Sequence, residues 1–153
     1  MLRLSKLADY SVVIMATMAA RQEGLLTAIH LAELTGLPAP TVAKLLKKLA
    51  KTGHVTATRG AAGGYRLSKE PKSVSAASII EAVDGPIKII GCVEGAACGH
   101  EKTCIIHGRW DPINDAVNRA FSEVSLADLI ASHFPLQAGC GHATTCDKAA
   151  CGE

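Results

Sequence analysis

The stretch LPAPTVAKLLKKLAKTGHVTATRGAAGGYRLS, residues 37–68, decides the fold. Leu37, Pro38 and Pro40 make a tight turn into a helix, because proline is accepted in a first helical turn, where its missing N–H costs nothing. In that helix Val42, Leu45, Leu46 and Leu49 keep the i, i+3, i+4, i+7 spacing of a buried face. Thr41, Lys44, Lys48 and Lys51 project from the other side, so a buried stripe and a basic stripe share one helix. Gly53 ends it, and two short alternating segments follow, Val55 to Arg59 and Tyr65 to Ser68, separated by the turn GAAGG at Gly60 to Gly64. They predict a glycine-tipped β-hairpin.

On the N-terminal side, Thr27 can cap a short helix through Ala28, Leu31 and Leu34 that Gly36 ends. Helix, turn, basic helix and hairpin make a winged helix-turn-helix, and the chain is expected to be mainly α. Further back, Ser5 can cap a first helix running to about Arg21, with Leu7, Ile14 and Met18 on one face and Ala8 and Met15 beside them. Its opposite side is also apolar at Val13, Ala16 and Ala20, so two sides are expected to pack, one of them against a partner subunit. Asp9 lies on that second strip.

Charge separates the chain into two halves. Residues 1–69 hold ten Lys or Arg against Asp9, Glu23 and Glu33, a net of +7; residues 70–153 hold six against eleven acids, a net of −5, and together they give the total of +2. No acid occurs between Leu34 and Lys69, where Lys44, Lys47, Lys48, Lys51, Arg59, Arg66 and Lys69 all fall, and this reads as a phosphate-binding surface. Thr41, Lys44, Lys47, Lys48 and Arg59 are the candidate contacts to double-stranded DNA. Aromatic residues make up only 3% of the chain, which argues against recognition by base stacking and against an aromatic-lined ligand pocket. The opening MLRLSKLADY carries charges where an export signal needs an apolar run, and no apolar run suits a membrane helix, so a cytoplasmic location is expected.

Beyond the hairpin, Ser75 to Val83 reads as another short helix closed by Gly85 and Pro86, and Ile87 to Ile90 as an apolar lead-in to a cysteine loop. Asp111 and Pro112 supply a cap and first-turn residue for a helix in which Ile113, Ala116, Val117, Ala120, Phe121 and Val124 form a continuous stripe. So long a stripe needs a partner, and pairing with its twin in a homodimer is the expectation. Ser125 and Asp128 resemble a capping box for a last short turn. The expected organisation is a winged-helix domain over residues 1–86, a cluster-binding loop over 87–108, a dimerisation helix region over 109–131 and a cysteine-bearing tail over 132–153.

In the loop, Cys92, Cys98 and Cys104 are spaced five residues apart, with His107 just beyond and Gly91, Gly95 and Gly99 excluding a regular helix. Six cysteines in a chain expected to stay in a reducing compartment point to metal or redox chemistry rather than structural disulfides. Structural zinc favours two ligands from one tight knuckle, and none occurs here, whereas wider spacing can wrap an iron-sulfur cluster. Zinc and a free-thiol sensor remain the alternatives on spacing alone.

The opening RLSKLADY, the segment LPAPTVAKLLKKLAKTGHV, the wing RGAAGGYRLS, the loop GCVEGAACGHEKTCIIH and the helix from Trp110 to SLADLI together resemble the IscR, NsrR and SUF-regulator group, the Rrf-two family. The likeness spans about residues 1–130. It implies a dimeric winged-helix transcription regulator whose iron-sulfur cluster is ligated by Cys92, Cys98 and Cys104. For the fourth ligand it implies His107 if the cluster is 2Fe-2S, the favoured reading, or Asp9 from the other subunit if it is 4Fe-4S. Some relatives carry an acid in the reading helix where Ala43 stands, which bears on DNA sequence preference.

The resemblance implies control of iron-sulfur cluster assembly genes, with a nitric-oxide or redox-sensing repressor of the same fold as the alternative. A small zinc or iron-sulfur enzyme is a remote third reading, since no nucleophile-base pair and no phosphate-binding glycine loop is present. In the tail, CGHATTC at Cys140 to Cys146 echoes CGHEKTC at Cys98 to Cys104, and Cys151 follows. This echo is read as chance in a low-complexity segment, with an auxiliary metal or cluster-delivery site as the alternative.

Overall fold

The computed structural model describes residues 3–21, 24–60, 62–91, 93, 103–106 and 109–131. Helix α1, Lys6–Arg21, begins where Ser5 Oγ accepts from the Ala8 N–H at 3.0 Å. It buries Ala8, Ser11, Ile14, Met15, Met18 and Ala19. The Ser11 hydroxyl is satisfied inside the helix by donating to Leu7 O at 2.8 Å. Helix α2, Ala28–Thr35, is capped by Thr27, whose side chain accepts from the His30 N–H, and it stops at Gly36, whose φ of 69° suits a residue without Cβ. Helix α3, Ala39–Lys51, buries Val42, Leu45, Leu46 and Leu49, the four leucine-type positions of its sequence stripe.

Strands β1, Val55–Thr58, and β2, Gly64–Leu67, form an antiparallel hairpin with Val55 opposite Leu67 and Thr58 opposite Gly64. The first strand stops one residue short of the expected Arg59, and the second begins and ends one residue earlier than the expected Tyr65 to Ser68. A bridge between Leu26 and Tyr65, bonded in both directions at 2.9 and 2.8 Å, fastens the hairpin to the segment before α2. The hairpin is therefore fastened close to its turn, where a Cβ on Gly64 would also run into Leu26 O.

A single turn of 3-10 helix at Pro71–Ser73 leads to α4, Ala76–Asp84, capped by the Ser75 side chain accepting from the Ser78 N–H. Helix α5, Asp111–Glu123, precedes α6, Leu126–Ile130, and the Ser125 and Asp128 capping box is present in full. One expectation is corrected here. Trp110, not Asp111, occupies the cap position of α5, without a side-chain cap bond, and Asp111 sits inside the first turn.

The core runs through both ends of the chain. Leu126 is fully buried in the same cluster as Ile14, Leu31, Leu45, Leu46, Leu49 and Ile79. Ala76 N donates to Val124 O at 2.8 Å and Leu126 N to Val74 O at 2.7 Å, so the segment before α4 and the start of α6 are stitched by a β-bridge at Ser75 and Ser125. Helix α5 is thereby held at its C-terminal end by α6. No described helix is long and apolar enough to cross a membrane.

Candidate nucleic-acid interface and cysteine loop

The unburied side of α3 follows from its pattern: a buried stripe of four aliphatic residues leaves the lysines facing out. Lys44, Lys47 and Lys51 are exposed, and Thr41 is half-buried at the first turn. Lys48 is placed differently. It is half-buried, and its ammonium donates to Val83 O at the end of α4 at 2.8 Å.

The wing supplies further cations. Gly63 donates its N–H to Gly60 O at 2.9 Å to close the tip, and a Cβ at Gly63 would overlap Thr58 O and Gly60 O. Gly60 has φ of 120°, so the tip is built on two positions where a side chain is strained or has no room. Arg59 is exposed at the root of this turn. Arg66 is exposed on β2 opposite Thr56; it belongs to the basic stretch of the sequence but is not among the candidate DNA contacts named there. Its signal was legible: in Tyr65, Arg66, Leu67 the alternation of a strand turns the flanking residues inward and Arg66 outward.

Between reader and wing sits His54. Its Nδ1 lies 2.9 Å from Thr52 Oγ1, and its backbone joins Leu49 to Ser68 by accepting from Ser68 N and donating to Leu49 O. Partial burial, and then the nearby Lys69 charge, push its pKa below the ordinary 6.5.

The path from α4 to the cysteine loop is held by α5. Ile89 N donates to Asn114 Oδ1 at 3.1 Å, and Asn118 Nδ2 donates to Ile87 O at 3.2 Å. The two asparagines stand four residues apart, on one face. Asn114 is 1% exposed, and its Nδ2 and Asp111 Oδ1 are buried with no hydrogen-bond partner among the described residues. The polar face of α5 is thus turned inward. Its apolar residues face out: Ile113 is 49% exposed, Ala116 and Ala120 are exposed, and Val117 and Phe121 are half-buried.

Of the candidate cluster ligands, Cys104 is half-buried and in no disulfide, and Asp9 is exposed in the first turn of α1, its N–H donating to Ser5 O at 3.1 Å. Beside Asp9 on that strip Val13 is 38% exposed. Cys92, Cys98 and His107, and the tail cysteines Cys140, Cys146 and Cys151, lie outside the described residues. Among the described residues no three His, Cys, Asp or Glu side chains come together. Val93, next to Cys92 in sequence, is 1% exposed, and its N–H donates to Ile90 O at 3.4 Å.

Comparisons with known proteins agree with this architecture. The Rrf2 family, described as an iron-dependent transcriptional regulator, matches residues 4–132. A putative HTH-type transcriptional regulator, ORF2 of Azotobacter vinelandii, is 29% identical over 131 residues, covering 85% of this chain and 80% of that protein. The HTH-type transcriptional regulator IscR of Photorhabdus laumondii is 29% identical over 130 residues, 84% of this chain and 79% of its own length. Among solved structures, CymR, the global cysteine regulator of B. subtilis, superposes with a TM-score of 0.68 at 30% identity, covering 85% of this chain and 97% of CymR. IscR of T. potens gives 0.65 at 27% identity, over 84% and 86% of the two chains.

Proposed function

The chain belongs to the Rrf2 family of transcriptional regulators, and from that premise we propose that it binds operator DNA as a homodimer under the control of an iron-sulfur cluster on Cys92, Cys98 and Cys104. The observation that carries the DNA half of this reading is the cationic face of α3 together with a hairpin fastened beside its turn and carrying the exposed Arg59 and Arg66. Thr41, Lys44 and Lys47 meet phosphates or base edges in the major groove, and Arg59 reaches the adjacent minor groove. Arg66 adds a backbone contact from the wing.

The dimer reading is supported by α5 and α1. Ile113, Ala116 and Ala120 on one and Val13 on the other present apolar surface that the described chain leaves uncovered. Burying such a stripe against its symmetry mate removes it from water at about 25 cal/mol per Å².

For the cluster, the donor set fits: three thiol side chains and two imidazoles, His100 and His107, fall within residues 92–107, and Cys104 is a free thiol. When bound, the cluster supplies a redox-active and oxidant-labile reporter of iron-sulfur supply. His107 is the fourth ligand of a 2Fe-2S cluster in this reading, and the target is the set of genes for cluster assembly. Asp9 is the alternative ligand, of a 4Fe-4S cluster shared across the dimer, and its exposure on the uncovered strip of α1 is the observation in its favour.

Anaerobic purification with optical and Mössbauer spectra, followed by footprinting of loaded and stripped protein, tests the proposal. Loss of the cluster in His107→Ala with retention in Asp9→Ala supports the 2Fe-2S assignment. The reverse pattern moves the site to the subunit boundary.

A further inference from the structure

Helix α4 ends badly on its own. Its last turn holds Glu81 and Asp84 where unpaired carbonyls already concentrate negative charge, and it has no cation of its own there. The missing cation comes from α3: Lys48 Nζ donates to Val83 O at 2.8 Å, bridging positions 35 apart in sequence. This is a charge-assisted hydrogen bond at a helix C-terminus, the place where an ammonium is most favoured. Lys44, one turn earlier, and Lys51, one turn later, are exposed instead.

We propose that Lys48 is a positioning residue, not a DNA contact: it fixes the pitch of the reading helix by tying α3 to the end of α4. Beyond Val83, residues 84–91 run directly to the strap that Asn114 and Asn118 hold and then to Cys92. Lys48 therefore also joins the reader to the entrance of the cysteine loop, a link that rests on the cluster reading proposed above. The tether itself does not.

A tether and a phosphate contact leave different signatures. Each lost phosphate contact lowers the slope of log K against log salt by roughly 0.9 and weakens all duplexes alike. A lost tether leaves the charge count at the interface intact and degrades only binding that needs base edges in register.

The test uses the full chain, with Lys48→Met, which keeps an apolar stem, and Lys48→Arg, which keeps the charge. Affinity is titrated against KCl on a 30-base-pair duplex selected by the wild-type protein from a random pool, and on an unselected duplex of equal length. Hydrogen exchange is followed at the amides of residues 81–85. Lys48→Met is expected to weaken the selected duplex roughly tenfold or more, to leave the unselected duplex and both salt slopes unchanged, and to speed exchange at the end of α4. Lys48→Arg restores all three. In a Glu81→Gln, Asp84→Asn background the same Lys48→Met change costs less, because the charges it answers are gone. A salt slope reduced on both duplexes with unchanged exchange, or no effect on affinity and exchange together, overturns the proposal. Equal affinities of iron-loaded and chelator-stripped wild type for the selected duplex sink the cluster reading alone and leave the tether to stand on slope and exchange.

Discussion

Ile89 donates its backbone N–H to Asn114 Oδ1 at 3.1 Å, so α5 is docked on the rest of the chain through its polar side. An amphipathic helix in a single domain ordinarily does the opposite. The inversion makes sense if the apolar stripe of α5 is reserved for another molecule, while two asparagines hold the strap that leads to the cysteine loop.

Asn114→Ala leaves the Ile89 N–H without its acceptor. It is expected to destabilise the protein by about 1–3 kcal/mol, the cost of an unsatisfied buried donor. Urea denaturation followed by circular dichroism measures this, and an unchanged midpoint would show that the strap is held by other contacts.

Placing a charge on the outward stripe separates association from folding. Ile113→Glu sits at a half-exposed position of the single chain, so it should leave the far-ultraviolet spectrum intact. Sedimentation velocity should show monomer where the wild type shows dimer. A dimer that survives in the variant places the interface elsewhere.

The winged helix was legible in the sequence because its signals are local. Pro38 and Pro40 at the start of α3, Gly36 at the end of α2 and the four-residue aliphatic stripe each act within a turn or two. What could not be read was which polar residue touches what across distant parts of the chain. Lys48 and Lys44 are indistinguishable by periodicity, and only the position of Val83 separates them. Asn114 and Asn118 lie off the apolar stripe of α5, and a pattern gives the relative faces of a helix, not which of them is inward. The pairing of Val124 and Leu126 with the start of α4 was hidden for the same reason, being a contact between segments remote in sequence.

His54 gives a pH dependence of defined sign. Its pKa is depressed below the ordinary 6.5 by burial and by Lys69, so in the acid range the unfolded chain binds this proton more readily than the folded one. Its contribution to stability is complete above about pH 6.5, falls as pH drops through the depressed folded pKa, and is absent below it. His54→Gln should flatten that part of the stability profile, and Lys69→Ala should move the His54 titration upward in an NMR experiment. A titration of His54 at or above its ordinary value would contradict the burial argument.

Lys44→Glu reverses charge at an exposed position of α3. Gel-shift titration on a duplex selected by the wild type should show specific binding abolished, with the dimer intact by size-exclusion chromatography. Unchanged affinity would remove α3 as the reading helix.

The central claim is that the loop thiolates hold the group that governs DNA binding. Its most direct test is to determine iron and acid-labile sulfide per chain, together with the DNase footprint, for anaerobically purified wild type, for Cys92→Ala, Cys98→Ala and Cys104→Ala, and for a variant lacking Cys140, Cys146 and Cys151. The account predicts a cluster and a cluster-dependent footprint in the wild type and the tail variant. Each loop variant should lose both while remaining a folded dimer. A cluster retained in the three loop variants, or lost only with the tail cysteines, would contradict it.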